Sequence, residues 1–211
     1  MNMIQYQSIL FGNHSDDPLK EVIVFDLETT GLSPRENEII QIAASKLIGG
    51  RLSRKHRFFT YVKPRRPIPP EITDLTGISR EDVKKAPRIE DALVAFSDFC
   101  GDATLVAHNG HTFDFPFLRT ACKRVGCRTR QVLYFDTLHL SRRIWPRPGA
   151  RHSLDVLMKR CKVSIRGVRR HDGRGDVSLL AKCIQRMLGH ITHDKQECQV
   201  KLYEGVLPVP E

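Results

Sequence analysis

The sequence predicts an α/β fold with a mixed five-stranded sheet flanked by helices, and three observations predict it. Val22-Ile23-Val24-Phe25 is a short continuous apolar run, the pattern of a strand buried on both faces. Two more strand-like stretches follow it with only a glycine pair between them, which suits an antiparallel meander. From residue 88 onward, amphipathic helical segments alternate with short apolar runs, the order of an α/β layer structure.

Taken in order, residues 38–48 read as the second strand, and Gly49-Gly50 turns the chain into a third around Arg57–Val62. Pro64, Pro67, Pro69 and Pro70 break the pattern. Ser79-Arg80-Glu81-Asp82 then offers a helix start, with a capping serine and an acid three residues on. Ile89, Leu93, Phe96 and Cys100 lie at helical spacing, so residues 88–100 form an amphipathic helix stopped by Gly101. Thr104–His108 is a fourth strand, and residues 113–125 a helix with Phe113, Phe117, Ala121 and Val125 inward. Val132–Phe135 is the fifth strand. Ser153 caps a helix containing Leu154, Leu157, Met158 and Cys161, and Asp176 opens the last, which buries Leu179, Leu180, Cys183, Ile184 and Met187. The expected organisation is a polar, flexible leader over 1–20, one domain over 21–190 and a C-terminal tail over 191–211, with no internal repeat.

A chain of 211 residues with 40% hydrophobic content can bury a core without staples. Six cysteines show no C-x-x-C pair, and several fall on apolar helical faces, so they read as reduced core residues of an intracellular protein. There is neither a secretory signal pattern nor an apolar run long enough to span a bilayer, so no membrane association is expected. The expected location is the cytoplasm of a bacterium, or the cell interior or nucleus of a eukaryote. Lys and Arg outnumber Asp and Glu by 34 to 24, for a net charge of +10. That surface attracts polyanions by counterion release, or else serves only solubility. Its basic residues cluster at Arg51–Arg57, Lys63–Arg66, Lys123–Arg130, Arg142–Arg151 and Lys159–Arg170.

The first strand ends in Asp26-Leu27-Glu28-Thr29-Thr30-Gly31. Residues two apart on a strand share a face, so Asp26 and Glu28 present paired carboxylates. Two buried negative charges need compensation, and an all-oxygen donor set suits Mg²⁺ or Mn²⁺ rather than zinc. A solvent-exposed acidic strand end is the plain alternative. Asp114 lies where the fourth strand gives way to a helix, and Asp176 stands at the head of the last helix, where an acid also complements the dipole. His171 is either a site residue or one more basic loop residue. Trp145 could stack a base or fill the core.

The ordered set D-x-E-T-T-G, H-N-x-x-x-F-D and H-x-x-x-x-D resembles the DEDDh 3′–5′ exonuclease family, whose fold is ribonuclease H-like. Pro69-Pro70-Glu71-Ile72, Leu75-Thr76-Gly77-Ile78 and His152-Ser153-Leu154-Asp155 extend the resemblance across Val22–Leu188. His-Asn-Gly with Phe113-Asp114-Phe115-Pro116 looks most like the three-prime repair branch, and Lys63–Ile78 more like bacterial proofreading domains. Where the family usually carries a small residue such as alanine, this chain has Gly173, and with Gly175 this predicts a more flexible loop around His171.

The resemblance implies two Mg²⁺ or Mn²⁺ ions held by Asp26, Glu28, Asp114 and Asp176, with His171 as general base. It implies that Thr29, Thr30 and Leu32 meet the terminal nucleotide, that Leu75 and Phe113 pack against the last bases, and that His108 and Asn109 shape the floor. The expected substrate is a single-stranded or frayed 3′ end, most readily DNA. RNA trimming and a non-catalytic nucleic-acid-binding module are the alternatives, and no residue reads the 2′-hydroxyl recognisably. In the leader, Gln7-Ser8-Ile9-Leu10-Phe11 resembles the Q-x-x-L-F peptide that grips bacterial sliding clamps, with Gln7, Leu10 and Phe11 as anchors. The competing reading packs Ile9, Leu10 and Phe11 onto the domain.

Overall fold

The computed structural model describes residues 21–193 and 200–209. The leader, with Gln7, Leu10 and Phe11, lies outside the described residues. A six-stranded mixed sheet runs in the order β3-β2-β1-β4-β5-β6. Its strands are β1 (Glu21–Thr29), β2 (Ile39–Ile48), β3 (Arg51–Tyr61), β4 (Thr104–Ala107), β5 (Thr129–Asp136) and β6 (Tyr203–Pro208). β1, β2 and β3 form the expected antiparallel meander, and β4 and β5 add on in parallel. The helices are α1 (Pro70–Thr76), α2 (Arg80–Val83), α3 (Ile89–Cys100), α4 (Asp114–Val125), α5 (Thr137–Ile144), α6 (Leu154–Arg160) and α7 (Gly173–His193).

The period of two in β1 divides its side chains between two cores. Val22 and Val24 pack with Val177, Leu180, Cys183 and Ile184 of α7. Ile23 and Phe25 pack with Leu93 and Phe96 of α3 and Phe115 of α4, and the Phe25 ring lies 5.5 Å from Phe96 and 5.3 Å from Phe115. All four β1 residues are fully buried, each stabilising the fold by about 1.5–3 kcal/mol relative to exposure. The same parity carries the next acidic pair, Asp26 and Glu28, onto the α7 face.

Several elements differ from the expectation. The sheet has a sixth strand, formed by Tyr203–Pro208 within the stretch read as a tail. β6 runs antiparallel to β5, its Leu207 and the preceding Leu202 are completely buried, and its Pro208 carbonyl accepts the Ser97 hydroxyl at 2.6 Å. β3 starts at Arg51, ahead of the expected stretch around Arg57–Val62, so the Arg51–Arg57 cluster lies on an edge strand. α5 was not anticipated; it begins where β5 ends, with Asp136 accepting the Leu138 N–H as its cap. α7 starts at Gly173, three residues before Asp176. Ser153 does precede α6 but makes no side-chain capping bond.

Cys100, Cys122, Cys161 and Cys183 are buried free thiols, and Cys127 is a half-buried one. Trp145 is half-buried against the α7 core, near Arg160 and His190, as the packing reading has it. Among the described residues, no helix is long and apolar enough to cross a membrane.

Candidate active site

The carboxylates come together because three elements end at one place. β1 delivers Asp26 and Glu28 to the α7 face, and its register shifts after Glu28, where the strand leaves its regular ladder. The first turn of α7 supplies Asp176, 5% exposed, and one ligand atom from each of Asp26, Glu28 and Asp176 falls within 4.8 Å of the others. Asp114 is the first residue of α4, 3% exposed, and its Oδ1 accepts the Leu27 N–H at 3.2 Å. It stands beside the tight triad rather than within it.

Electrostatics make this cluster uncomfortable without a cation. Burial, and then the Asp114, Glu28 and Asp176 carboxylates, hold the Asp26 carboxyl well above the usual range. Burial, followed by Asp176 and Asp114, pushes Glu28 from 4.5 to about 8. Burial also raises Asp114 from 3.8 to about 7, against the lowering effect of its backbone hydrogen bonds. Three buried acids pushed toward protonation, Asp26, Glu28 and Asp114, serve no packing purpose, whereas ionised and joined by Asp176 they match a hard divalent cation. The residues therefore fit the Mg²⁺ or Mn²⁺ that the resemblance implies.

One nearby cation belongs to the chain itself, and sequence reading missed it. The Arg170 guanidinium forms a close ion pair with Asp176 Oδ1 and a second, at 3.1 Å, with Asp155. It opposes the raised pKa values of both Asp26 and Glu28. Asp155 stood in the quoted His-Ser-Leu-Asp motif, so its partner in the basic loop could have been sought there.

His171 follows Arg170 at φ 58°, and its backbone N–H donates to Asp176 Oδ2 at 3.2 Å. Its imidazole is exposed and makes no hydrogen bond to a described residue, so the ring is not held against the carboxylates. The glycines beside it serve close approach more than flexibility. A Cβ on Gly173 would lie 2.7 Å from Gln41 Oε1 and 2.9 Å from the Ala43 Cβ, and one on Gly175 would lie 2.4 Å from the Arg169 carbonyl oxygen. The Gly173 N–H donates to the buried Gln41 side chain at 2.8 Å, which locks the start of α7 onto β2. The two glycines let α7 sit tightly enough for Asp176 to reach β1.

Of the residues expected to meet the terminal nucleotides, Leu32 is 84% and Leu75 50% exposed. Thr29 and Thr30 are buried. The Thr29 hydroxyl donates to the Gly31 carbonyl at 2.6 Å, and the Thr30 hydroxyl accepts the Glu38 N–H at 2.9 Å. Both threonines thus shape the turn under Leu32. Phe113 is half-buried with its ring 5.0 Å from Phe117. Asn109 is exposed at φ 64°. His108 donates from Nε2 to the His152 carbonyl at 2.8 Å, while Nδ1 faces the Thr137 hydroxyl at 2.9 Å. Burial lowers its pKa, so it acts as a neutral strut tying β4 to α5 and the loop before α6. Asp136, also missed, accepts the Asn109 and His111 N–H groups at 2.9 Å each and fixes the loop ahead of Asp114. Its signal was an acid at the end of a strand that runs directly into a helix.

Comparison with known proteins agrees with this geometry. The family model described as Exonuclease, RNase_T, matches residues 23–184. The chain is 37% identical over 166 residues to the PolC-type DNA polymerase III of Streptococcus sanguinis, covering 78% of this chain but 11% of that protein. It is 36% identical over 182 residues to the PolC-type polymerase of Halalkalibacterium halodurans, covering 85% of this chain and 12% of that one. The chain thus spans about a tenth of the length of these curated relatives. Among solved structures, Exonuclease X in complex with 5′ overhanging duplex DNA aligns with a TM-score of 0.63 at 25% identity, over 82% of this chain and 93% of that one. The nuclease domain of 3′hExo, a DEDDh family member bound to rAMP, aligns with a TM-score of 0.70 at 19% identity, over 86% and 96% of the two chains, and supports the fold. The ribonuclease H-like sheet, the converging carboxylates and the family match agree, and the chain belongs to the exonuclease family.

Proposed function

We propose that this chain removes nucleotides one at a time from the 3′ end of a DNA strand, releasing nucleoside 5′-monophosphates. The observation that carries the reading is the convergence of Asp26, Glu28 and Asp176 within 4.8 Å beside the buried Asp114. Asp26, Glu28 and Asp176 would hold one of two Mg²⁺ or Mn²⁺ ions, and Asp26 with Asp114 the other. When bound, these ions supply Lewis-acid neutralisation of charge on the phosphoryl and leaving oxygens.

The remaining work falls to the chain's own side chains. Leu32, Leu75 and Phe113 offer apolar surface to the terminal bases and exclude water from them. Asn109 and the turn built by Thr29 and Thr30 set the depth at which the last sugar stops. His171 takes a proton from the attacking water at its imidazole, and its exposed position lets the ring turn inward over a bound end. The exposed Leu32 and Leu75 side chains suit the unpaired bases of a single-stranded or frayed end. PolC-type relatives make proofreading or repair at DNA ends the expected setting.

The test is digestion of 5′-labelled single-stranded DNA, duplex DNA and RNA with Mg²⁺ or Mn²⁺. A descending ladder on DNA with release of mononucleotides is expected, and no activity without the divalent ion. Internal cuts, shortening from the 5′ end, or a preference for RNA would overturn the reading.

A further inference from the structure

Beyond the carboxylates, a small cleft of about 150 Å³ opens between β3 and the first turns of α7. Arg57, Phe59, Arg174, Leu52, Val177 and Ser178 line it. Sheet register fixes its position relative to the active site. Phe59 pairs with Ala43, which pairs with Asp26, and Tyr61 pairs with Gln41, which pairs with Glu28. Directly opposed residues share a face, so Phe59 and Tyr61 stand on the face of the catalytic pair, about 10 Å away at two strand spacings.

The chemistry of the cleft suits a base and a phosphate together. The Phe59 and Tyr61 rings meet edge to face at 5.0 Å, and Phe59 is 36% exposed. The Arg174 guanidinium lies over the Phe59 ring at 4.4 Å, its plane pinned by two hydrogen bonds to Asp172 at 2.9 and 3.1 Å. Arg57 follows on the same face. Arg51, Arg54, Lys55 and Arg57 are all exposed, β3 carries no acidic residue, and none of the four forms an ion pair with a described residue. An edge strand this basic repels a second copy of itself and attracts a polyanion. Toward α1 the surface continues through the Arg169 guanidinium, which lies against Gly77, close to the exposed Leu75.

We infer that this cleft holds the single-stranded nucleic acid upstream of the nucleotide being removed, a base stacking on Phe59 and Arg174 while Arg57 meets the backbone phosphate. The assignment rests on the exonuclease reading above and extends it from the cleaved end to the strand behind it. Stacking on an aromatic platform beside basic side chains is sequence-tolerant, as an exonuclease that must accept every base requires.

The experiment compares wild type with Phe59→Ala and Arg57→Ala on two substrates. One is a single strand of about eight nucleotides, within the ~4–16-nucleotide span of single-strand grooves. The other is the nitrophenyl ester of thymidine 5′-monophosphate, which has no upstream strand. Each variant is expected to raise KM for the strand about tenfold with kcat held, and to hydrolyse the ester as wild type does. Phe59→Trp should restore the strand KM, and Arg57→Ala should lower the salt slope of strand binding by about one. Equal losses on both substrates, or no loss on the strand, would overturn the assignment. Failure of the wild type on both substrates would instead remove the exonuclease reading.

Discussion

Replacing Asp26 with asparagine separates the electrostatic cost of the site from its use. The substitution keeps the shape and deletes one charge from a cluster whose ligand atoms lie within 4.8 Å of one another. At that separation and an effective dielectric of about 20, each like-charge pair repels by about 3 kcal/mol. The pH window follows from the carboxyls whose folded values are raised, Glu28 from 4.5 to about 8 and Asp114 from 3.8 to about 7. Such a group leaves stability intact below its unfolded value and removes it as pH climbs toward its folded value. The metal-free wild type should therefore weaken steadily from about pH 4 to about pH 8, with Glu28 alone accounting for at most about 5 kcal/mol. Asp26→Asn should recover about 3 kcal/mol at pH 8, a rise of about 6–12 °C in melting temperature for a domain this size. At pH 5 the two proteins should differ little. Excess Mg²⁺ at about one hundred times its Kd should add about 2.7 kcal/mol to the wild type and far less to the variant, whose nuclease activity should be gone. Thermal melts in EDTA and in Mg²⁺ at pH 5, 6.5 and 8, beside a strand-digestion assay, read every arm. Equal melting temperatures in EDTA at pH 8, or a variant that still cleaves at the wild-type rate, would refute the argument.

The other predictions concern single residues around the same centre. His171→Ala should lower kcat by about 10²–10⁴ with substrate binding little changed, and should remove the rise of wild-type rate with pH; a wild-type profile flat from acid to mildly alkaline pH, with chemistry rate-limiting, argues against it as base. Gly173→Ala should cost about 1–3 kcal/mol by thermal melt, because its methyl meets Gln41 and Ala43 at under 3 Å; an unchanged melt would mean α7 has slack there. Arg170→Gln removes the internal counter-ion of Asp176, so calorimetric titration should show tighter Mn²⁺ binding and a less stable metal-free protein, and weaker Mn²⁺ binding would refute that role. A peptide of residues 1–13 should bind a bacterial sliding clamp in the micromolar range by fluorescence anisotropy, and Leu10→Ala with Phe11→Ala should abolish it; no binding by the parent peptide sinks that idea.

Much of the molecule was legible in the chain because its signals are local. The Val22–Phe25 run, the helical spacing of Ile89, Leu93, Phe96 and Cys100, and the glycine pair at 49–50 each report their own environment through short-range periodicity and turn chemistry. The acidic motifs were legible for the same reason, since a strand's parity places Asp26 and Glu28 on one face without knowledge of the rest of the fold. What the tertiary structure alone decided depends on residues far apart in sequence. Tyr203–Pro208 is a strand only because β5 offers an edge with Val132 and Tyr134 in register, and no periodicity within Leu202–Pro208 announces that partner. Arg170 became the counter-ion of Asp176, and Gly173 a point of close approach rather than a hinge, because α7 lies flat on β1 and β2. The Phe59 cleft arises the same way, from a cross-sheet row joining Phe59, Ala43 and Asp26 that spans three strands. Sequence by itself determined the elements and the reactive groups, whose preferences are written in neighbouring residues; packing decided which of those groups face one another, because long-range register and burial exist only once the sheet has formed.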